Sequence, residues 1–175
     1  GELCAEKCIL FLVDCAQSAG HLNLDMAKNH IDMLALAPHK GLYGPQGVGI
    51  LAYTNRAKIS PIRYGGTGTD SESTYQPTIP PECFESGTLA SANILGADAG
   101  LDFVCKNAKQ INDKIEDLCT FLLFELDKIP EVKVYTNVQN AKNGVIAFNI
   151  KDYDSAYISE LLSDKFGIAV RGGLH

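Results

Sequence analysis

The sequence has no stretch dense in basic residues. Its 175 residues carry 15 Lys and Arg against 21 Asp and Glu, a net charge of -6, and the charges are scattered. That argues against nucleic acid as the main partner. Long apolar runs are also missing. The longest, such as Cys8–Val13, falls far short of the roughly 20 residues that cross a bilayer, so no membrane role is expected. No basic-apolar-small signal pattern opens the chain. Internal repeats and low-complexity tracts are absent. The cysteines Cys4, Cys8, Cys15, Cys83, Cys105 and Cys119 show no zinc-finger spacing, and no metal is expected. Cys15 and Cys119 sit in apolar segments and read as small buried hydrophobes. A reduced, cytoplasmic protein is the simplest inference.

There is no initiator methionine, and the chain stops at "AVRGGLH" just after an apparent strand. A piece of a longer chain is expected.

What is present is a chain that can bury a core, with 46% apolar residues. Gly1–Lys7 reads as the tail of an amphipathic helix. "CILFLVD" is an apolar run closed by Asp14, the pattern of a buried strand. "LDMAKNHI" reads as a short helix. "DMLALA" is a second buried strand, ending at His39-Lys40, and "GVGILAYT" a third. Strands alternating with helical links predict an α/β sheet. Residues 60–88 form a long Gly-, Pro-, Ser- and Thr-rich loop, and such loops are usually functional or interfacial.

From Ala90 the pattern changes. Ala90–Val104 is small and apolar, a helix packed closely on something. Ala108–Ile129 repeats Ile111, Ile115, Leu118, Leu122 and Leu126 as an amphipathic stripe that should pack on the first half, and Pro130 stops it. Strands "VKVYT" and "GVIAFNI", a helix Asp154–Phe166 and a strand "GIAVR" follow. Residues 1–106 and 107–175 are therefore expected to be two units, the second a smaller α+β one.

In open α/β sheets, ligands bind outside the carboxyl ends of strands. Asp14, Gln17, His39 and Lys40 would reach one such crevice. A lysine that attacks an aldehyde, with an aspartate on a pyridinium nitrogen, is the arrangement pyridoxal phosphate needs. Desolvation would lower the lysine's pKa for that attack.

The sequence then becomes specific. An apolar strand, D-x-A-Q at Asp14–Gln17, H-K at His39-Lys40 and G-P-x-G-x-G at Gly44–Gly49 occur in order. "CFESGTLASANILGADAGLDFV" and "GIAVRGGLH" follow. Together these resemble the class V aminotransferase fold, and within it the cysteine desulfurases. The resemblance implies part of an aspartate aminotransferase-like large, cofactor-binding domain and part of a small C-terminal domain. It implies a cytoplasmic homodimer that binds pyridoxal 5'-phosphate. The reaction would take L-cysteine to alanine and leave a persulfide on a cysteine, with a sulfur-acceptor protein as a possible partner. A selenocysteine lyase, another class V aminotransferase, or a non-catalytic fragment are the competing readings.

Carried over, the resemblance makes Lys40 the Schiff-base lysine and Asp14 the partner of the ring nitrogen. Gln17 would bond the phenolic oxygen and His39 the phosphate. Thr88 would reach the phosphate of a neighbouring subunit's cofactor. Arg171 would lie near the substrate entrance. Each has a plainer alternative: a solvated strand-end lysine for Lys40, a helix N-cap for Asp14, a loop bond for Gln17, a structural histidine for His39, a helix cap for Thr88 and a solvated charge for Arg171. The family usually has a hydroxyl where this chain has Ala37, a glycine where it has Pro38, and often an asparagine where it has Ala90. A lost charge-assisted bond to phosphate costs roughly 1.5–3 kcal/mol. The resemblance also places the stacking histidine, the carboxylate-binding arginine and the acceptor cysteine outside these residues. The 175-residue chain alone is therefore expected to be inactive.

Overall fold

The computed structural model describes residues 1–70, 72–137, 139, 141 and 144–174. The chain divides by its internal contacts into Gly1–Asn107 and Ala108–His175.

The first unit opens with helix α1, Glu2–Glu6. Strand β1 is Leu12–Asp14, β2 is Met33–Leu36 and β3 is Ile50–Tyr53. They form one sheet in the order β1-β2-β3. β1 and β2 are parallel, with Asp14 opposite Ala35, while β2 and β3 are antiparallel. This is an α/β arrangement with a mixed sheet. Cys15, Ala19 and Leu42 form its buried cluster, with Val13, Leu24, Leu34 and Leu36 packed around them.

The segment "LDMAKNHI" is a turn and not a helix. Asn29 N–H reaches the Asp25 carbonyl at 2.9 Å, and the Asp25 side chain accepts from Lys28 N–H at 3.0 Å. Short polar side chains here satisfy the backbone locally, which stops propagation. His30 then takes a positive φ of 54° and ends the turn.

Asp32 fastens one end of the sheet. It is 3% exposed. Its carboxylate accepts from Phe11 N–H at 3.0 Å and Thr54 Oγ1 at 3.4 Å, and pairs with Arg56 at 3.2 Å. A buried carboxylate requires such partners.

The long loop carries one short 3-10 turn, Glu82–Phe84. Gln76 braces it: its amide oxygen accepts from Gly65 N–H at 3.0 Å, and its Nε2 donates to the Cys83 carbonyl at 3.0 Å.

Helix α2 runs unbroken from Ser91 to Asp127, where two helices were expected. No glycine or proline interrupts Cys105–Asn107. Lys106 bonds Asp102 at 2.9 Å, and Asn107 Nδ2 donates to the Phe103 carbonyl at 2.7 Å. These one-turn contacts support the helix at the end of the first unit.

In the second unit, β4 (Val132–Val134) and β5 (Phe148–Ile150) pair antiparallel. The buried seam of α2 is Cys119 and Leu123, with Ile115 alongside, packed with Val134, Ala141 and Ile146. The predicted stripe is therefore shifted. Ile115 belongs to it, but Leu118 and Leu122 are 53% and 42% exposed. The seam's partner lies within its own unit. Spacings of four keep 115, 119 and 123 on one face.

Helix α3, Ser155–Phe166, is capped by Asp154 at its start and by Gly167 (φ 64°) at its end. The segment "GIAVR" forms no ladder with the described residues. It is held instead by a bond from Ser159 Oγ to the Val170 carbonyl at 3.0 Å. Among the described residues no helix is long and apolar enough to cross a membrane.

Candidate active site

Two strand ends and two turns build the candidate site. β1 delivers Asp14. Just beyond it, Cys15 N–H still bonds the Ala35 carbonyl at 2.8 Å, so the two parallel strands stay paired to their carboxyl ends. Asp14 Oδ1 accepts from Ala16 N–H at 2.9 Å and starts the turn that carries Gln17. Asp14 Oδ2 has no partner among the described residues. The helix N-cap expected as its plainer role is not found, because a turn and not a helix follows; the side chain caps that turn with one oxygen of two.

β2 leads through Ala37 and Pro38 to His39-Lys40. Pro38 is fully buried and Leu42 is 5% exposed, while His39 and Lys40 between them are exposed. The turn closes on itself through Lys40 N–H to the Ala37 carbonyl at 3.1 Å and Gly44 N–H to the Pro38 carbonyl at 2.8 Å. Pro38, where a glycine was the more usual residue, therefore serves as the turn's buried anchor.

The two turns touch through glycine. A Cβ on Gly20 would strike the Gly41 carbonyl oxygen, and one on Gly41 would strike the Ala19 carbonyl oxygen. The Gln17 turn and the Lys40 turn are thus locked side by side at one end of the sheet. His21 completes this contact: its Nε2 would lie 2.7 Å from a Cβ on Gly41. Its Nδ1 is buried without a hydrogen-bond partner among the described residues.

The far side of the Lys40 turn rests on α2. Gly44 lies against Ala97, where a Cβ would come within 3.0 Å of its Cα. Gly96 lies against the Pro45 ring, and Gly100 against the Leu42 carbonyl. Asn93 Nδ2 donates to the Gln46 carbonyl at 2.9 Å. Tyr43, at a positive φ of 57°, packs its ring 5.3 Å from that of Phe103. The small-residue helix expected to pack closely on something packs on this turn.

Asp14, Gln17, His39 and Lys40 are therefore gathered on neighbouring segments of the first unit. Thr88 is exposed in the loop before α2 and belongs to the same unit. Arg171 is exposed in the second unit, in a segment strapped to α3 by Gly173 N–H to Ser155 Oγ at 3.1 Å. The expected desolvation of Lys40 is not found. The apolar positions of its turn are filled by Pro38 and Leu42, and no described residue covers the lysine.

Sequence reasoning missed Asp32, His21 and Asn93. Asp32 stands before an apolar run and looks like any strand-start acid; its partners Phe11 and Arg56 are remote in sequence. Gly96 and Gly100, one turn apart, were the visible signal for the close helix contact, but not for its target.

The class V aminotransferase model matches residues 1–175. A probable cysteine desulfurase of Methanothermobacter thermautotrophicus is 32% identical over all of this chain and 45% of its own length. A cysteine desulfurase of Serratia proteamaculans is 33% identical over 94% of this chain and 41% of its own. Among solved structures, a cysteine desulfurase of Thermococcus onnurineus superposes with a TM-score of 0.83 at 32% identity, covering 97% of this chain and 44% of that one. One from Escherichia coli gives 0.83 at 26% identity, covering 97% and 43%. The chain spans less than half the length of these relatives. With the Asp14–Gln17 and His39–Lys40 turns locked together at paired strand ends, and the family model matching from end to end, the chain belongs to the class V aminotransferase family.

Proposed function

We propose that this chain is the lysine-bearing part of a pyridoxal-phosphate-dependent cysteine desulfurase, acting on L-cysteine to give alanine and an enzyme-bound persulfide. The observation that carries the proposal is the placement of Asp14 and Lys40 after paired parallel strands, on turns that touch at Gly20 and Gly41.

The donor set fits the cofactor. Lys40 is exposed and has no ion-pair partner among the described residues, and Asp14 keeps one carboxylate oxygen unengaged. Pyridoxal phosphate, when bound, supplies an aldehyde carbon for an amine and a ring that takes up the electron pair left at the substrate's Cα. Lys40 Nζ would hold that carbon. Asp14 would keep a proton on the ring nitrogen. Gln17 would donate to the phenolic oxygen, and His39 would contact the phosphate. Thr88 would contact the phosphate bound in a second subunit of a homodimer. Arg171 would stand near the substrate entrance. On this reading residues 1–106 belong to the large cofactor-binding domain and 107–175 to the small domain, and a sulfur-acceptor protein would receive the product sulfur.

The exposure of Lys40 and Asp14 favours a second statement: the 175-residue chain alone does not turn over. Catalysis needs the reacting groups held to within about 1 Å, and an uncovered lysine is not so held.

The test replaces the matching segment of the Thermococcus onnurineus enzyme with this chain and measures alanine formed from L-cysteine. Alanine production that disappears in Lys40→Ala is expected. A chimera that binds the cofactor but forms no alanine overturns the proposal; release of selenium from selenocysteine alone would favour the lyase alternative.

A further inference from the structure

The Lys40 turn is held from two sides, and among the described residues one of those contacts is a side-chain hydrogen bond from a distant element. On the entry side the contacts are backbone to backbone, at Ala19, Gly20 and Gly41. On the exit side, helix α2 presents Asn93, Gly96, Ala97 and Gly100 on one face. The three small residues permit close approach but do not choose a position along the groove, because apolar contact is non-directional. Asn93 does choose one. Its Nδ2 donates to the Gln46 carbonyl at 2.9 Å across 47 residues of sequence. The same Nδ2 would lie 3.3 Å from a Cβ on Gly47, a residue at φ 88°. The amide therefore rests against the point where the chain turns toward β3.

We propose that Asn93 is a positioning residue for Lys40: by holding the Gln46 carbonyl it fixes the exit of the turn and so the direction in which the lysine leaves the sheet. The inference rests on the cofactor role of Lys40 given above. The turn is short, and its internal bonds from Gly44 N–H to the Pro38 carbonyl and from Tyr43 N–H to the Lys40 carbonyl couple exit to lysine. Freeing Gln46 lets both bonds open together. The backbone that carries Lys40 then samples several conformations where it had one, and the adduct with an aldehyde must pay for the reordering.

The test compares the unmodified protein with Asn93→Asp and Asn93→Gln. Aspartate keeps the shape and loses the donor; glutamine keeps the donor on a longer arm. Three quantities are measured: amide hydrogen exchange along residues 38–47, the thermal unfolding midpoint, and the apparent Kd for pyridoxal phosphate from its visible absorbance. In Asn93→Asp, exchange at Tyr43 and Gly44 should rise about tenfold, with amides elsewhere unchanged, and Kd should weaken about tenfold. Asn93→Gln should recover part of both. Exchange and Kd within about twofold of the unmodified protein would overturn the proposal. So would a uniform rise in exchange with a lowered midpoint, which would make Asn93 merely structural. Lys40→Ala is the separate control. If it binds the cofactor with the same absorbance as the unmodified protein, the role of Lys40 fails, whereas the exchange data judge Asn93 by themselves.

Discussion

Gly20 and Gly41 meet backbone to backbone, with no room for a Cβ on either. That one contact sets the Gln17 turn against the Lys40 turn. Gly41 is not at a positive φ, so its requirement for glycine is steric and not conformational.

Gly41→Ala should therefore force the two turns apart. Overpacking of this kind costs about 1–3 kcal/mol. Denaturant unfolding should show a lower midpoint, and pyridoxal phosphate should bind more weakly. A variant with unchanged midpoint and binding would mean that the turns are free to separate.

Asp32→Ala should destabilise the first unit. The Phe11 N–H loses its acceptor, and an unsatisfied buried group costs about 1–3 kcal/mol. Asp14→Ala, at an exposed carboxylate on the same sheet, should move stability by less than about 1 kcal/mol. Equal losses from the two would contradict the different roles given to them.

Burial raises the Cys119 thiol above its ordinary value of 9.0. The folded state then holds the proton after the unfolded state has lost it. Stability from this group is complete below the ordinary thiol pKa and is lost as pH rises toward and through the raised folded value. Unfolding midpoints between pH 7 and pH 10 should therefore fall less steeply in Cys119→Ala than in the unmodified protein. Parallel slopes would refute this.

Asp154 accepts from Ala156 N–H at 2.9 Å and Tyr157 N–H at 3.2 Å at the start of α3. Asp154→Ala should cost about 1 kcal/mol in unfolding free energy, and Asp154→Asn less. Circular dichroism during denaturant unfolding reads both.

The strands at Asp14 and at the approach to Lys40 were legible because local pattern determines them: an apolar run, then a polar end. The helix at Asp154–Phe166 was legible for the same reason, and its Asp154 cap and Gly167 stop are local as well. What was not legible depended on partners distant in sequence. "GIAVR" has strand composition, but a strand is a pairing, and none of the described residues pairs with it. Leu118 and Leu122 fit the helical period as well as Cys119 and Leu123 do; only the position of Val134 and Ile146 decides between the faces. A solvated Lys40 was the plainer of its two readings, and its exposure was not settled by the sequence for a related reason. Whether a strand-end lysine is covered depends on what else packs there, and nothing in its own turn reveals that.

The central claim is that Lys40 and Asp14 act together as the cofactor anchor. The most direct measurement is to incubate the chain with pyridoxal phosphate, fix the adduct with borohydride, and map the modified lysines by mass spectrometry. An exposed amine suffices for this capture, so it needs no turnover. The account predicts modification concentrated at Lys40, absent in Lys40→Ala, and several-fold weaker in Asp14→Asn at an unchanged unfolding midpoint. Modification spread evenly over the exposed lysines and indifferent to Asp14→Asn would contradict it.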